Sequence, residues 1–123
     1  MIELTLPWPP STNSIWRAFV QKGRVRTILS KAGREYRKTA TEAAQAQYAG
    51  EPMQGRLSVS ITLHAPTRRA YDVDNRVKAA ADALTHAGIW GDDEQIDRLE
   101  LIRGEIRKPG MAVVTITKCE AVA

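Results

Sequence analysis

Tyr71-Asp72-Val73-Asp74-Asn75-Arg76-Val77-Lys78, followed by Gly91-Asp92-Asp93-Glu94, is the stretch around which the rest of the chain is organised. It reads as the place where an extended segment turns into a helix. In extended backbone, side chains two apart point the same way, so Asp72 and Asp74 face one point. Two carboxylates about 4 Å apart repel by roughly 4 kcal/mol at an effective dielectric of about 20, and a cation between them removes that cost. Lys78 lies four residues beyond Asp74, which places it above the carboxylate pair on the same side of the helix.

Upstream of the acidic block, Leu57, Val59, Ile61 and Leu63 alternate with Ser58, Ser60, Thr62 and His64, the pattern of a strand with one apolar face. Pro66 ends it, and Thr67-Arg68-Arg69-Ala70-Tyr71 leads into the carboxylates. His64 falls on the polar face with no second histidine at metal-ligand spacing, and it is given no catalytic role. Downstream, Asp74 or Asn75 caps a helix running from about Asn75 to Ala87, with Gly88 as its stop. Val77, Ala80, Ala81, Leu84 and Ala87 form its buried stripe. Trp90 reads as a core anchor beside the site, and His86 as a partner for the helix dipole. After Asp93 the chain reads as a final hairpin: Ile96 to Arg107, a turn at Lys108-Pro109-Gly110, and Met111 to Lys118.

The amino-terminal half supplies the remaining elements. Ile2, Leu4 and Leu6 alternate with polar residues as in a half-buried strand, which Pro7-Trp8-Pro9-Pro10 stops. Ser11-Thr12-Asn13-Ser14 continues as a loop. Ile15 to Val20 and Val25 to Leu29 read as a hairpin turning at Gln21-Lys22-Gly23-Arg24. Ser30 caps a helix from about Lys31 to Tyr48, closed by Gly50, with Tyr36, Ala40, Ala43, Ala44 and Gln47 on one narrow face. The order is β-β-β-α-β-α-β-β in one domain, residues 1–123. The expected fold class is α+β, with two main helices packed on a small mixed sheet.

The 123 residues are 43% hydrophobic and 26% charged, an ordinary globular balance. No apolar run approaches the length of a membrane span, and no basic-then-apolar leader is visible. Cys119 is the only cysteine, which excludes an internal disulfide and fits a reducing compartment. The expected location is the cytoplasm. The formal charge of +4 is unevenly distributed. From Trp16 to Lys38, eight basic residues stand against Glu35 alone, whereas from Asp92 to Glu100 five acidic residues stand against Arg98. A basic arm beside an acidic pocket suits a phosphodiester gripped by cations and attacked at metal-bound carboxylates. Two solvated faces of opposite sign is the plainer alternative. In the arm, Arg17, Lys22, Arg24 and Arg26 lie on the hairpin, where Trp16 and Phe19 interleave with the charges and favour contact with a nucleic-acid backbone over simple edge protection.

Asp72, Asp74 and Asp93 offer hard oxygen donors with no thiolate or imidazole among them, which favours Mg²⁺, with Mn²⁺ as a substitute, over zinc or copper. Lys78 is then placed to stabilise charge developing on phosphorus or to orient an attacking water. No phosphate-cradling G-x-x-x-x-G-K-S/T loop occurs, which leaves a nucleoside triphosphatase of that class unsupported.

Three blocks carry a resemblance: Leu6-Pro7-Trp8-Pro9-Pro10-Ser11-Thr12-Asn13, Asp72-Val73-Asp74-Asn75-Arg76-Val77-Lys78-Ala79-Ala80, and Asp82-Ala83-Leu84-Thr85-His86-Ala87-Gly88-Ile89-Trp90-Gly91-Asp92-Asp93. Together they resemble the RusA family of Holliday junction resolvases, from the first strand to the last hairpin. The resemblance implies a homodimer that binds four-way DNA junctions and nicks two strands symmetrically in a Mg²⁺-dependent reaction. It carries the metal-binding aspartates onto Asp72, Asp74 and Asp93 and the essential lysine onto Lys78, with Asp92 adjacent as an assisting group. Arg68 and Arg69 join the DNA-contacting set. Some members of the family have an uninterrupted arginine run before the first aspartate; here Ala70 and Tyr71 interrupt it. Two other readings stay open from the residues alone: a non-catalytic protein that binds branched DNA, and a small metal-dependent phosphohydrolase acting on nucleotides.

Overall fold

A computed structural model describes residues 1–119. Strand β1 (Ile2–Pro7) is followed by a one-turn helix α1 (Thr12–Ile15) and a hairpin, β2 (Trp16–Gln21) and β3 (Arg24–Leu29). Helix α2 (Lys31–Gln47), strand β4 (Leu57–His64), helix α3 (Val77–His86) and strands β5 (Ile96–Arg103) and β6 (Met111–Lys118) complete the described chain. The fold is α+β: a mixed four-stranded sheet and a separate two-stranded hairpin, with two main helices.

The sheet order is β1-β6-β4-β5. β4 pairs antiparallel with β6 and parallel with β5, Leu57 lying opposite Ile96 and Leu63 opposite Arg103. This corrects the expected final hairpin, because β5 and β6 lie on opposite sides of β4 and do not pair. The strand expected to run to Arg107 also stops at Arg103. Period-two alternation shows that a segment is extended and says nothing of its neighbour. A parallel neighbour needs a crossover, and α3 supplies it between β4 and β5.

One face of the sheet carries Leu4, Leu6, Leu57, Val59, Ile61, Leu63, Ala112, Val114 and Ile116, all buried under Ala44 of α2 and Ala80 and Leu84 of α3. Burying each large aliphatic side chain contributes about 1.5–3 kcal/mol. A smaller cluster of Ile15, Tyr36, Ala40, Ala79 and Ala83 joins α1, α2 and α3. The small residues let the helices approach closely. Gly33 shows how closely, since a Cβ there would meet the Ile15 carbonyl oxygen at 2.5 Å. Ser30 caps α2 by accepting the Gly33 N–H at 3.0 Å. Gln47 donates to the Thr5 carbonyl at 2.7 Å and accepts the Thr5 N–H at 2.8 Å, occupying the open edge of β1.

Lys22 and Gly23 both take positive φ, 52° and 73°, so the β2–β3 connection is a two-residue turn matched to strand twist. His64 is buried, its Nδ1 2.8 Å from the Glu105 carbonyl oxygen, in a structural position. Trp90 is buried too, and its Nε1 donates to Thr85 Oγ1 at 2.7 Å.

Candidate active site

The acidic block begins just past the end of β4 and enters α3 by a different route from the one expected. Asp72 is extended, Val73–Arg76 forms a 3₁₀ turn, and α-helix starts only at Val77. Neither Asp74 nor Asn75 caps α3: its N-terminal flanking residue is Arg76, with no side-chain capping bond, and Asp72 likewise makes none to the 3₁₀ turn. Among the described residues, the Asp72 and Asp74 carboxylates enter no salt bridge and accept no hydrogen bond.

The change of helix type also moves Lys78. A 3₁₀ turn advances three residues per revolution and an α-helix 3.6, so the four-residue spacing from Asp74 does not stack the two side chains. Lys78 Nζ instead lies 3.0 Å from Asp82 Oδ1 and 3.7 Å from Asp93 Oδ2. The Asp82 carboxylate, with Asp93 behind it, holds the Lys78 ammonium above its ordinary value against partial burial. Arg37, Thr85 and His86 line the same cavity, of about 340 Å³. Asp82 lies four residues after Lys78, the same spacing that pointed to Asp74, and was legible on that ground. Arg37 was not, because it comes from α2.

Asp92 and Asp93 are used differently. Asp92 caps the 3₁₀ turn Asp93–Gln95, accepting the Glu94 N–H at 2.9 Å, while Gln95 Oε1 accepts the Gly91 and Asp92 N–H groups. The Glu94 N–H, then a hydrogen bond with Asp93, holds the Asp92 carboxyl below the usual carboxylate range. Glu94 and Asp97 are both paired with Arg56, at 3.0 and 2.6 Å. Asp93 is left with the long contact to Lys78 and its hydrogen bond with Asp92.

Asp72 lies on the other side of the block, in a cavity of about 380 Å³ with Ser11, Arg69, Asn75 and Arg76. The proline loop forms its far wall and is tied to the acidic block. Arg76 Nη1 donates to the Pro9 carbonyl at 2.9 Å, and Thr12 Oγ1 donates to the Asn75 carbonyl at 3.1 Å. Burial, and then the charge of Arg69, hold the Arg76 guanidinium below its ordinary value.

Of the expected basic residues, Arg17, Lys22, Arg24, Arg26, Arg68 and Arg69 are all exposed. In the hairpin register, Arg17, Phe19 and Gln21 lie opposite Ile28, Arg26 and Arg24, so three arginines and Phe19 share one face. Trp16, Val20 and Val25 are on the other. The hairpin is anchored at its base, where Arg34 Nη1 donates to the Leu29 carbonyl at 2.7 Å.

The chain matches the family described as endodeoxyribonuclease RusA over residues 7–117. The chain belongs to the RusA family. It is 37% identical over 116 residues to the crossover junction endodeoxyribonuclease RusA of Shigella sonnei (strain Ss046), covering 94% of this chain and 93% of that protein. It is 36% identical, with the same coverage, to the crossover junction endodeoxyribonucleases of Enterobacteria phage 82 and Escherichia coli (strain K12).

RusA family membership raises the question of a metal, and the donors present bear on it. Asp72, Asp74 and Asp93 are hard carboxylates, and the first two have no competing partner among the described residues. No three Asp, Glu, His or Cys side chains among the described residues gather into one metal-holding cluster, so the expected triad is not drawn together. Magnesium does not require a cage of protein ligands. It binds through one or two carboxylates and keeps several waters or substrate phosphates. The donor chemistry therefore fits Mg²⁺ or Mn²⁺, which one or two of these carboxylates would hold together with water or substrate phosphate.

Proposed function

We propose that this crossover junction endodeoxyribonuclease resolves Holliday (four-way) junctions as a Mg²⁺-dependent homodimer that nicks two strands symmetrically. The observation that carries the catalytic reading is the state of Asp72 and Asp74. A chain of net positive charge leaves these two carboxylates without cation or N–H partner among the described residues, while Asp92, Glu94 and Asp97 are all paired. Two exposed carboxylates free of protein partners are open to a hard cation. Bound there, Mg²⁺ or Mn²⁺ supplies Lewis-acid stabilisation of the phosphoryl oxygens and a more acidic water.

The chain's own residues do the rest. Lys78, held by Asp82, presents its ammonium to negative charge that develops during phosphodiester cleavage. Arg17, Lys22, Arg24 and Arg26 on the hairpin and Arg68 and Arg69 before the acidic block grip the phosphate backbone, which positions the junction without reading its bases. A two-fold dimer brings two such sites to two strands related by the same symmetry. The reading takes residues 1–123 as one domain working in the cytoplasm. No described helix is long and apolar enough to cross a membrane.

A labelled four-way junction incubated with the protein in Mg²⁺, and again in EDTA, tests this. Paired nicks in Mg²⁺ alone, with linear duplex spared, are expected. Binding under both conditions with cutting under neither would leave a non-catalytic binder of branched DNA. Duplex cut as readily as junction would remove the structure selectivity.

A further inference from the structure

Beside the Asp72 cavity lies a second one, of about 280 Å³, and the two share Arg69, Ala70, Tyr71 and Arg76 as their common wall. The second is aromatic where the first is polar. Trp8 and Tyr71 meet edge to face with ring centroids 5.1 Å apart. The Arg76 guanidinium sits 5.3 Å from the Trp8 ring centroid, and that of Arg103 sits 4.2 Å from the Tyr71 centroid. Arg103 also donates to the Tyr71 carbonyl at 2.9 Å, so the wall is braced from β5. Ala65 and Pro66, at the end of β4, close the cavity from below.

Two features of this corner are not used by the metal site. The first is its charge: Arg69 and Arg76 line both cavities, and among the described residues neither has a carboxylate within ion-pair distance. Two guanidiniums placed together without a counter-ion favour an anion between or beside them. The second is the aromatic cavity itself, which opens next to that charge where Trp8 and Tyr71 lie half-buried at the margin of the core. Tyr71 also brings a buried hydroxyl with no hydrogen-bond partner among the described residues. An anion beside aromatic rings is the chemistry of a nucleotide: phosphate on the arginines and base against a ring.

We propose that the Trp8–Tyr71 cavity receives one unstacked base of the junction strand, whose phosphate is held by Arg69 and Arg76 next to Asp72. The site takes a nucleotide within a DNA strand. It rests on the junction-binding reading above and adds to it a place where a base, as well as the backbone, is held. A four-way junction is suited to this, because bases at the branch point are easier to unstack than those within duplex. Ala70, a small residue, lines both cavities.

The test is an abasic scan. Junctions lacking one base at each position flanking the branch point are titrated in EDTA, so that cleavage plays no part. The proteins are the wild type, Trp8→Phe and Trp8→Leu, the last keeping apolar bulk without a π face. At one position, base removal is expected to weaken wild-type and Trp8→Phe binding by roughly five- to a hundredfold, the range of a base–aromatic stack, and to leave Trp8→Leu binding unchanged. Arg69→Ala, at an exposed position, should reduce the salt slope of binding by about one, as expected when one phosphate is no longer neutralised. The pocket alone is overturned if the wild type binds the junction and no position separates it from Trp8→Leu, in which case the arginines touch backbone only. A wild type that does not bind the junction at all overturns the reading beneath it, and the pocket with it.

Discussion

The two acidic segments that flank α3 are built from the same residue types and satisfied in opposite ways. Behind the helix, Asp92 closes a capping box with Gln95, Glu94 and Asp97 clamp Arg56, and only Asp93 faces a cavity, held loosely by Lys78. Ahead of it, Asp72 and Asp74 have no partner among the described residues, and cations line the neighbouring wall without neutralising them. The rear segment pairs all but one of its carboxylates within the fold; the front segment pairs neither of its two. The difference separates charge paired within the fold from charge left unpaired, and it is not visible in composition.

Substitutions at the two segments should therefore diverge, and the largest divergence is in cleavage. Asp74→Asn removes charge and keeps shape, so junction cutting should fall by at least roughly 10²- to 10³-fold, on the order of losing one transition-state stabiliser. Gel-shift binding should stay close to wild type, because phosphate neutralisation carries most of the affinity. Full cutting by this variant would place Asp74 with the rear segment and end the contrast.

A smaller effect is expected at the basic hairpin. Replacing Arg24 and Arg26 together with alanine should lower the slope of log binding constant against log salt by about two, one for each phosphate that the hairpin no longer neutralises. An unchanged slope would mean that this face of the hairpin does not touch backbone.

Smaller still is the support beneath the proline loop. The Tyr36 hydroxyl donates to the Pro7 carbonyl at 2.8 Å, and Tyr36→Phe should cost about 1 kcal/mol in denaturant unfolding. Burial raises the Tyr36 phenol well above its ordinary value of 10.0. Its contribution is thus fully present below about pH 10 and is lost as pH rises toward the folded-state value. The wild type should lose stability above about pH 10, and the phenylalanine variant should lose less over the same range. Equal alkaline sensitivity in both would assign the loss to other groups.

The smallest change is expected at Asp92. Asparagine caps as well as aspartate, so Asp92→Asn should leave the melting temperature and cutting near wild type, whereas Asp92→Ala should lower the melting temperature. Since the Asp92 carboxyl is held below its usual range, the charged cap's contribution is present at neutral pH and fades as pH falls through that lowered value. If Asp92→Asn lost cutting as Asp74→Asn is expected to, Asp92 would have to be moved from scaffold to site.

Much of this molecule was legible along the chain, and the parts that were not share a cause. Helix α2 with its Ser30 cap, strand β4 and the turn of the β2–β3 hairpin were readable because each is specified by neighbours a few residues apart. The acidic blocks and the proline loop were readable as chemistry. The expected terminal hairpin does not form because β5 and β6 are consecutive strands whose alternation is equally compatible with β4 inserted between them. The expected capping of α3 by Asp74 or Asn75 fails because a 3₁₀ turn and the first turn of an α-helix have nearly the same sequence preferences. That one change of pitch sends Lys78 to Asp82 and Asp93.

The sequence by itself determined the residue types, the hard-donor character of the acidic block, the excess of cations from Trp16 to Lys38 and the family to which the chain belongs. These depend on composition and on spacings of two to four residues, which local backbone geometry converts directly into shared faces. Only the tertiary structure decided which carboxylates are satisfied, that α3 bridges parallel strands, and that Trp8 and Tyr71 form one wall with Arg69 and Arg76. Trp8 and Arg76 are sixty-eight residues apart in the chain. No local rule relates residues so far apart, and they meet because the proline loop leaving β1 and the acidic block leaving β4 lie side by side.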